Sequence, residues 1–501
     1  MSSSFLPNNI YYRYFINFIL IFFILNLIFN FVRIIFTDQD PFLSAFQDPK
    51  TDIPVSWPIS IFALRLPRFF LPTYESHTSF GVNHIMQRNP LENIDILVAI
   101  VYLVIFFLFY NYIKKIDTPH KIYLIGFFAI ILSNSIQGID EGIIEPLTGE
   151  PGDSGRVYHH DVIHIDNILE FVNDYDSLQS NYELSIHSIV HPPGPVIIYY
   201  FLHLIFSNPL FSSIFLMSVS LLIVFYLHSI ICHNNSKSTA NFVCLFFVFL
   251  PSTQIYFLSS IDSLISLFFL GTIYHFVSWT KSRDNLNYSL CLIFLILSTF
   301  MTFTTVILFF ILFAYSFSYL DVLPQQIKIS DRSKTIGKDV ILLFLPVALV
   351  ILLKYFLFGY NYIEGFLAAS EYENRHYSSG FLLFDYPVSY FATRLENIAE
   401  LIFFLGPIGT IFLYRGLAKT DNDYDLFFKY GLICFLLIII TGAYRTGETA
   451  RAVMYLYPLM LITISNFIDK SFTLTTKDKK HILQVTFFQV LLMQMFGWYY
   501  W

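Results

Sequence analysis

Two stretches of this sequence carry residue types that do chemistry. The first, "YHHDVIHID" at residues 158–166, packs His159, His160, Asp161, His164 and Asp166 behind Tyr158. It leads on to "SIHSIVHPPGP", where His187 and His191 stand in front of three prolines and Gly194. A carboxylate placed there can take a proton from a hydroxyl, and an imidazole can donate a hydrogen bond to an oxyanion. The second stretch, "TGAYRTGETARAVMYLYP" at residues 441–458, sets Arg445, Glu448 and Arg451 close together. If a helix begins near Thr446, the three fall within about 120° of one another on its surface. Glu448 can neutralise one guanidinium, and the other then needs an anion. Phosphate fits, because the planar fork of arginine binds it bidentately and stays charged at any working pH. Together the two stretches suit the transfer of a phosphate-linked group to a hydroxyl.

Asp140 and Glu141 add a second acidic pair directly after an apolar run, where ionisable residues are functional candidates by default. Against all of these stands the simpler reading of a solvated loop whose charges face water. A metal site is a third reading, since His and Asp are ligands for zinc or manganese. Pro192 pushes His191 toward an extended backbone, which takes His187 and His191 off a common helix face and weakens a zinc pair. The metal, if one binds, is not identified by the residue pattern. Consecutive prolines predict an extended arm, and Gly194 permits close backbone approach where the next helix starts.

The elements that must position these residues are membrane helices. Of the 501 residues, 55% are hydrophobic and only 13% charged. With mean hydropathy +0.60, the chain falls outside the soluble globular class. Apolar runs recur from Tyr14–Phe36 to Ala452–Ile468, which predicts an all-α polytopic membrane protein of roughly a dozen transmembrane helices. The first run has no small-residue cleavage site after it and is expected to be retained. Cys232, Cys244, Cys291 and Cys434 lie in or beside apolar segments without metal-ligand spacing. A net charge of −7 has little bearing on a chain mostly in lipid, and no basic arm or RNP-like motif argues for nucleic acid as a partner.

Sidedness follows the basic loops Lys114–Lys121, Lys328–Lys338 and Lys470–Lys480, expected on the cytoplasmic face. That places three regions on the other face: the loop from about Gly138 to Pro193, the loop from about Gly359 to Tyr390, and the turn around Arg445. Counting spans forward from Lys121 and backward from Lys328 gives opposite sides for the hinge near Asn234, so the tally between Gly194 and Leu320 is off by one crossing. The long loop is too long for a connector, and its aromatics at helical spacing predict a short amphipathic helix from Asp166 onward. The expected organisation has N-terminal transmembrane helices and a first outer loop over 1–137. An outer catalytic loop covers 138–193. A helix bundle over 194–501 then carries the outer loop 359–390 and the arginine turn 444–451.

The run from "YHHD" through "DNILEFVNDY" and "LSIHSIVHPPGP" into a span resembles the multi-span GT-C glycosyltransferases, in particular the protein mannosyltransferase and aminoarabinose transferase group. "GAYRTGETARAVMYLYP" is similar to their "GE…R…P" segment near the C-terminus, and "ENRHY" with "LENIAELIFFLGPIG" is a less specific likeness. The resemblance covers about Gly138 to Pro458. It implies a polyprenyl-phosphate sugar donor, an outward-facing site in the membrane and inverting transfer to a glycan, lipid or protein acceptor. By matched positions, Asp161, or Asp140 with Glu141, are the expected catalytic acids. Arg445, Arg451 and His191 are expected to meet the donor phosphate, supported by Glu448, His160, Tyr158 and His187. The family often places its acidic motif after the first span, where Asp38 and Asp40 form a rival pair; Asp161 is favoured for its Tyr, His and Pro neighbours.

The expected mechanism is a single displacement in which the carboxylate deprotonates the acceptor hydroxyl and the arginines hold the departing phosphate. Mg or Mn can assist such a step, and the scheme does not require either. The location is the plasma membrane in a prokaryote and the endoplasmic reticulum in a eukaryote. Two other classes stay open: a polytopic transporter of an anionic or lipid-linked substrate, which predicts internal repeats, and a non-catalytic membrane scaffold.

Overall fold

The computed structural model describes residues 10–21, 24, 93–149, 157–322, 329–374, 380–381, 383–384, 387–417, 423–444, 448–471 and 474–496. Asp38, Asp40 and Arg445 lie outside them, as does most of "ENRHY". Among the described residues every regular element is a helix. Seven are long and apolar enough to cross a membrane: Asn93–Tyr112, Pro119–Gln137, Pro209–Asn234, Ile261–Ser282, Gly337–Phe358, Thr393–Leu417 and Tyr424–Thr441. Shorter apolar helices, among them Gly194–Ile205, Lys237–Phe249 and Asn285–Met301, pack between them.

The helix starts are written locally. Asn167, Asn208, Ser236, Ser260 and Asp284 each accept a backbone N–H of the first turn with their own side chain. Such caps satisfy donors that would otherwise have no partner away from water. Burial then sorts the helices. Ile261–Ser282 has 83% of its apolar window buried and forms the centre, whereas Gly337–Phe358 has 17% and turns an apolar face outward. A helix that is apolar all round belongs in a core or in lipid.

Loops gather at two ends. At the basic end, Asp469 accepts hydrogen bonds from Thr239 Oγ1 at 2.7 Å and from the Ser236 N–H at 3.2 Å, and Lys479 Nζ donates to Ser238 Oγ at 2.8 Å. The hinge near Asn234 therefore lies beside the "KDKK" segment. Arg283 closes the same end with a bidentate pair to Asp339 at 2.6 and 2.8 Å. Gly194–Ile205 has 12 residues and a length of roughly 18 Å, too short to cross a hydrocarbon core alone.

At the other end, the long loop is more ordered than an amphipathic helix and an extended arm. The expected helix is present as Ile168–Ser180, but its buried face (Val172, Tyr175, Gln179) packs on protein. Tyr175 donates to the Ser188 carbonyl at 2.8 Å, and Asp176 accepts the Asn361 N–H at 2.6 Å. The expected arm is instead a short helix, Ile186–Ile189, and a bend. That bend docks on the end of Asn285–Met301: His191 Nδ1 sits 2.9 Å from the Met301 carbonyl, and a Cβ on Gly194 would stand 2.0 Å from the Phe300 carbonyl oxygen.

Two helices break inside the bundle. Leu250 is extended before Pro251, and Gly406 takes φ 79 before Pro407. Side-chain amides take up the freed carbonyls, Gln254 Nε2 donating to Val248 O and Gln489 Nε2 to Phe403 O. The segments beside the breaks meet where Tyr256 stacks on Phe404, ring centroids 4.9 Å apart.

Candidate functional site

The loop-rich end holds a cavity of about 650 Å³ counting its open mouth, with Tyr158, His187, His191, Tyr199, Tyr256, Ser259, Ser260, Asp262 and Arg451 in its walls. Each wall comes from a different part of the chain. Tyr158 opens the short helix Tyr158–Val162 and stacks on Tyr199 at 5.5 Å. Its ring also meets His191 edge-on at 5.8 Å and His187 at 5.8 Å. Ser259, in the left-handed region at φ 60, turns the chain so that Ser260 caps the central helix and Asp262 stands in its first turn. The Ser259 carbonyl accepts the Tyr199 hydroxyl at 2.7 Å.

Arg451 comes from the four-residue helix Thr449–Ala452. Its terminal nitrogen donates to Glu448 Oε2 at 3.1 Å, and its Nε stands 3.6 Å from Asp262 Oδ2. That Nε–H is buried and makes no hydrogen bond. Burial works against the guanidinium charge; the Glu448 and Asp262 carboxylates outweigh it and raise the pKa above the ordinary value. The turn is held by Glu400, fully buried on Pro387–Leu417, which accepts the N–H of Ala450 at 3.0 Å and of Thr449 at 3.3 Å.

The imidazoles differ. Burial lowers the pKa of His191, and the nearby Asp262 charge and the hydrogen bond to Met301 push back against it. Because a carbonyl oxygen only accepts, the His191 proton resides on Nδ1, and the neutral ring keeps its lone pair at Nε2. Donation from His191 to a phosphate would therefore have to come from a protonated Nε2. Its one N–H is already spent on Met301.

The structure redistributes the other candidates. It brings Tyr158, His187, His191 and Arg451 to one cavity, with Glu448 against Arg451. Asp161 is not in its walls. The Asp161 carboxylate is buried and accepts from the Ser185 N–H at 2.9 Å, from Ser185 Oγ at 2.6 Å and from Ser188 Oγ. Those donors make it a clasp between two loop helices. His160 sits against His164, centroids 5.0 Å apart, away from the walls. Asp140 is exposed and Glu141 half-buried on the turn Asp140–Ile144, and neither lines the cavity. Among the described residues no three His, Cys, Asp or Glu side chains gather as a metal site.

Sequence reasoning missed Asp262 and Glu400. A signal for Asp262 exists: it is the sole acidic residue between Glu183 and Asp284, inside a long apolar region. An isolated acid in such a region is itself a functional candidate. Glu400 had only its place in an apolar helix to mark it.

Comparison of the chain with protein-family models, curated proteins and solved structures finds no match.

Proposed function

We propose that this chain is a membrane glycosyltransferase that moves a sugar from a polyprenyl-phosphate donor to an acceptor hydroxyl at the loop-rich, non-cytoplasmic end. The observation that carries the reading is the buried, unbonded Nε–H of Arg451 beside Asp262 in an open cavity. A guanidinium N–H buried without an acceptor is costly, and a phosphate oxygen would satisfy it. In this reading the donor phosphate takes Arg451 from Asp262, and the released carboxylate stabilises positive charge at the anomeric carbon. The Tyr158 and Tyr199 wall supplies an apolar, hydroxyl-tipped surface of the kind that suits a sugar ring. The likeness to GT-C transferases in "YHHD", "HPPGP" and "GE…R…P" points to the same donor class. The loops at 113–118, 235–236 and 472–475 would be cytoplasmic.

The test is sugar transfer from a panel of polyprenyl-phosphate sugars by the protein in lipid, with Asp262→Asn and Arg451→Lys beside the parent. Consumption of one donor by the parent, with weakened donor use in Arg451→Lys, supports the reading, because lysine keeps the charge and loses the fork. No turnover with any donor, with or without Mg or Mn, overturns it.

A second reading, a transporter of an anionic substrate, is favoured by the two helix breaks at Leu250–Pro251 and Gly406–Pro407 that meet below the cavity. Discontinuous helices are where transporters build their sites. Substrate uptake into sealed vesicles without chemical change would select it.

A further inference from the structure

We propose that His191 is a catalytic residue whose Nε2 takes the proton of the incoming hydroxyl. The inference rests on the transferase reading and assigns the proton-accepting step to a residue in the cavity wall, where Asp161 does not stand. Three observations carry it. His191 lines the same cavity as Arg451 and Asp262. Its Nδ1 is committed to the Met301 carbonyl at 2.9 Å, which fixes both ring orientation and tautomer. Among the described residues Nε2 has no hydrogen-bond partner, and the half-buried side chain stands in the cavity wall.

The charged and titratable groups facing the ring come from four elements: Asp262 from the central helix, Arg451 from the arginine turn, Glu373 from Tyr362–Asn374, and Tyr158 from Tyr158–Val162. Asp262, released when the donor phosphate takes Arg451, is assigned to the charge at the anomeric carbon, which leaves the proton to His191. An imidazole beside a carboxylate gains a partner for the charge it acquires.

The step balances. The hydroxyl proton moves to Nε2, and the hydroxyl oxygen bonds to the anomeric carbon. The bond from that carbon to the phosphate oxygen breaks, its electron pair staying on the phosphate held by Arg451. The imidazolium then releases its proton to water.

His191→Asn separates base from anchor, since the asparagine amide can keep a hydrogen bond to Met301 while Nε2 is lost. We expect kcat to fall about 10²–10³-fold with donor KM changed by about twofold or less, and the acidic limb of the parent pH profile to vanish. A variant that keeps both kcat and that limb overturns the inference while leaving the transferase reading intact. If the parent turns over no donor, the transferase reading falls and this inference with it. Labelling reads the group without turnover: diethyl pyrocarbonate at pH 7, followed by peptide mass mapping, should place an adduct on His191 in the parent. An unlabelled His191 overturns the inference regardless of activity.

Discussion

The Glu400 carboxylate accepts the backbone N–H of Ala450 at 3.0 Å, so a helix from one part of the bundle caps the short helix that carries Arg451. A four-residue helix has little stability of its own, and a negative charge at its first turn both bonds and complements it. Glu400→Gln retains an acceptor oxygen and should keep donor KM within about threefold, whereas Glu400→Ala should raise it about tenfold or more with a smaller change in kcat. Steady-state kinetics with varied donor distinguish this positioning role from general unfolding, which would lower active enzyme without moving KM.

Asp161 should behave as a structural residue. Replacing it with Ala strands the Ser185 and Ser188 donors in a buried place, at a cost of about 2–5 kcal/mol. Thermal unfolding in detergent should show a marked loss for Asp161→Ala. The surviving folded fraction of Asp161→Asn should turn over donor at about the parent rate. A folded but inactive Asp161→Asn would return that residue to the catalytic machinery.

Gly194→Ala tests the docking of the proline bend. The added Cβ would meet the Phe300 carbonyl oxygen at 2.0 Å and its carbon at 2.6 Å, both backbone atoms that cannot swing aside. The bend or the end of Asn285–Met301 must shift, costing about 1–3 kcal/mol. The same shift strains the His191 bond to Met301, so the variant should lose melting temperature and kcat together.

Asp176 gives a pH dependence with a definite sign. Burial raises its pKa from 3.8 to about 6, with the Asn361 N–H opposing and Glu364 adding to the rise. A carboxyl raised in the fold is favoured protonated, so its unfavourable contribution is absent below the unfolded value. It grows between about 4 and 6 and is fully present above that range. Solvent reaches part of the group, which brings the neutral-pH penalty down to about 1 kcal/mol. Asp176→Asn, which keeps an acceptor for Asn361, should match the parent near pH 4 and melt higher at pH 8. Equal melting curves at both pH values would contradict this.

Much of the architecture was legible because its cause is local. Apolar runs, capping residues such as Ser236 and Asp284, and the amphipathic pattern after Asp166 act within a few residues, and the helices begin where those signals lie. Gly194 was legible as a close-approach site for the same reason, since only its own missing Cβ matters. The site was legible in part: Tyr158, His187, His191 and Arg451 do share a cavity. Asp161 stands outside its walls, because neighbours in sequence are not neighbours in a cavity. Its carboxylate is met instead by Ser185 and Ser188, 24 and 27 residues farther along the chain.

By itself, then, the sequence determined an all-helical chain with membrane-length apolar segments and a polar, loop-rich end. Composition, periodicity and caps are properties of short windows of chain. Only the tertiary structure decided that Asp262 rather than Asp161 faces Arg451, that Glu400 holds the turn on which Arg451 sits, and that Met301 leaves His191 with a lone pair at Nε2. Those relations join residues far apart in the chain. They depend on how the helices pack, and packing is settled by the sum of many contacts that no single motif contains.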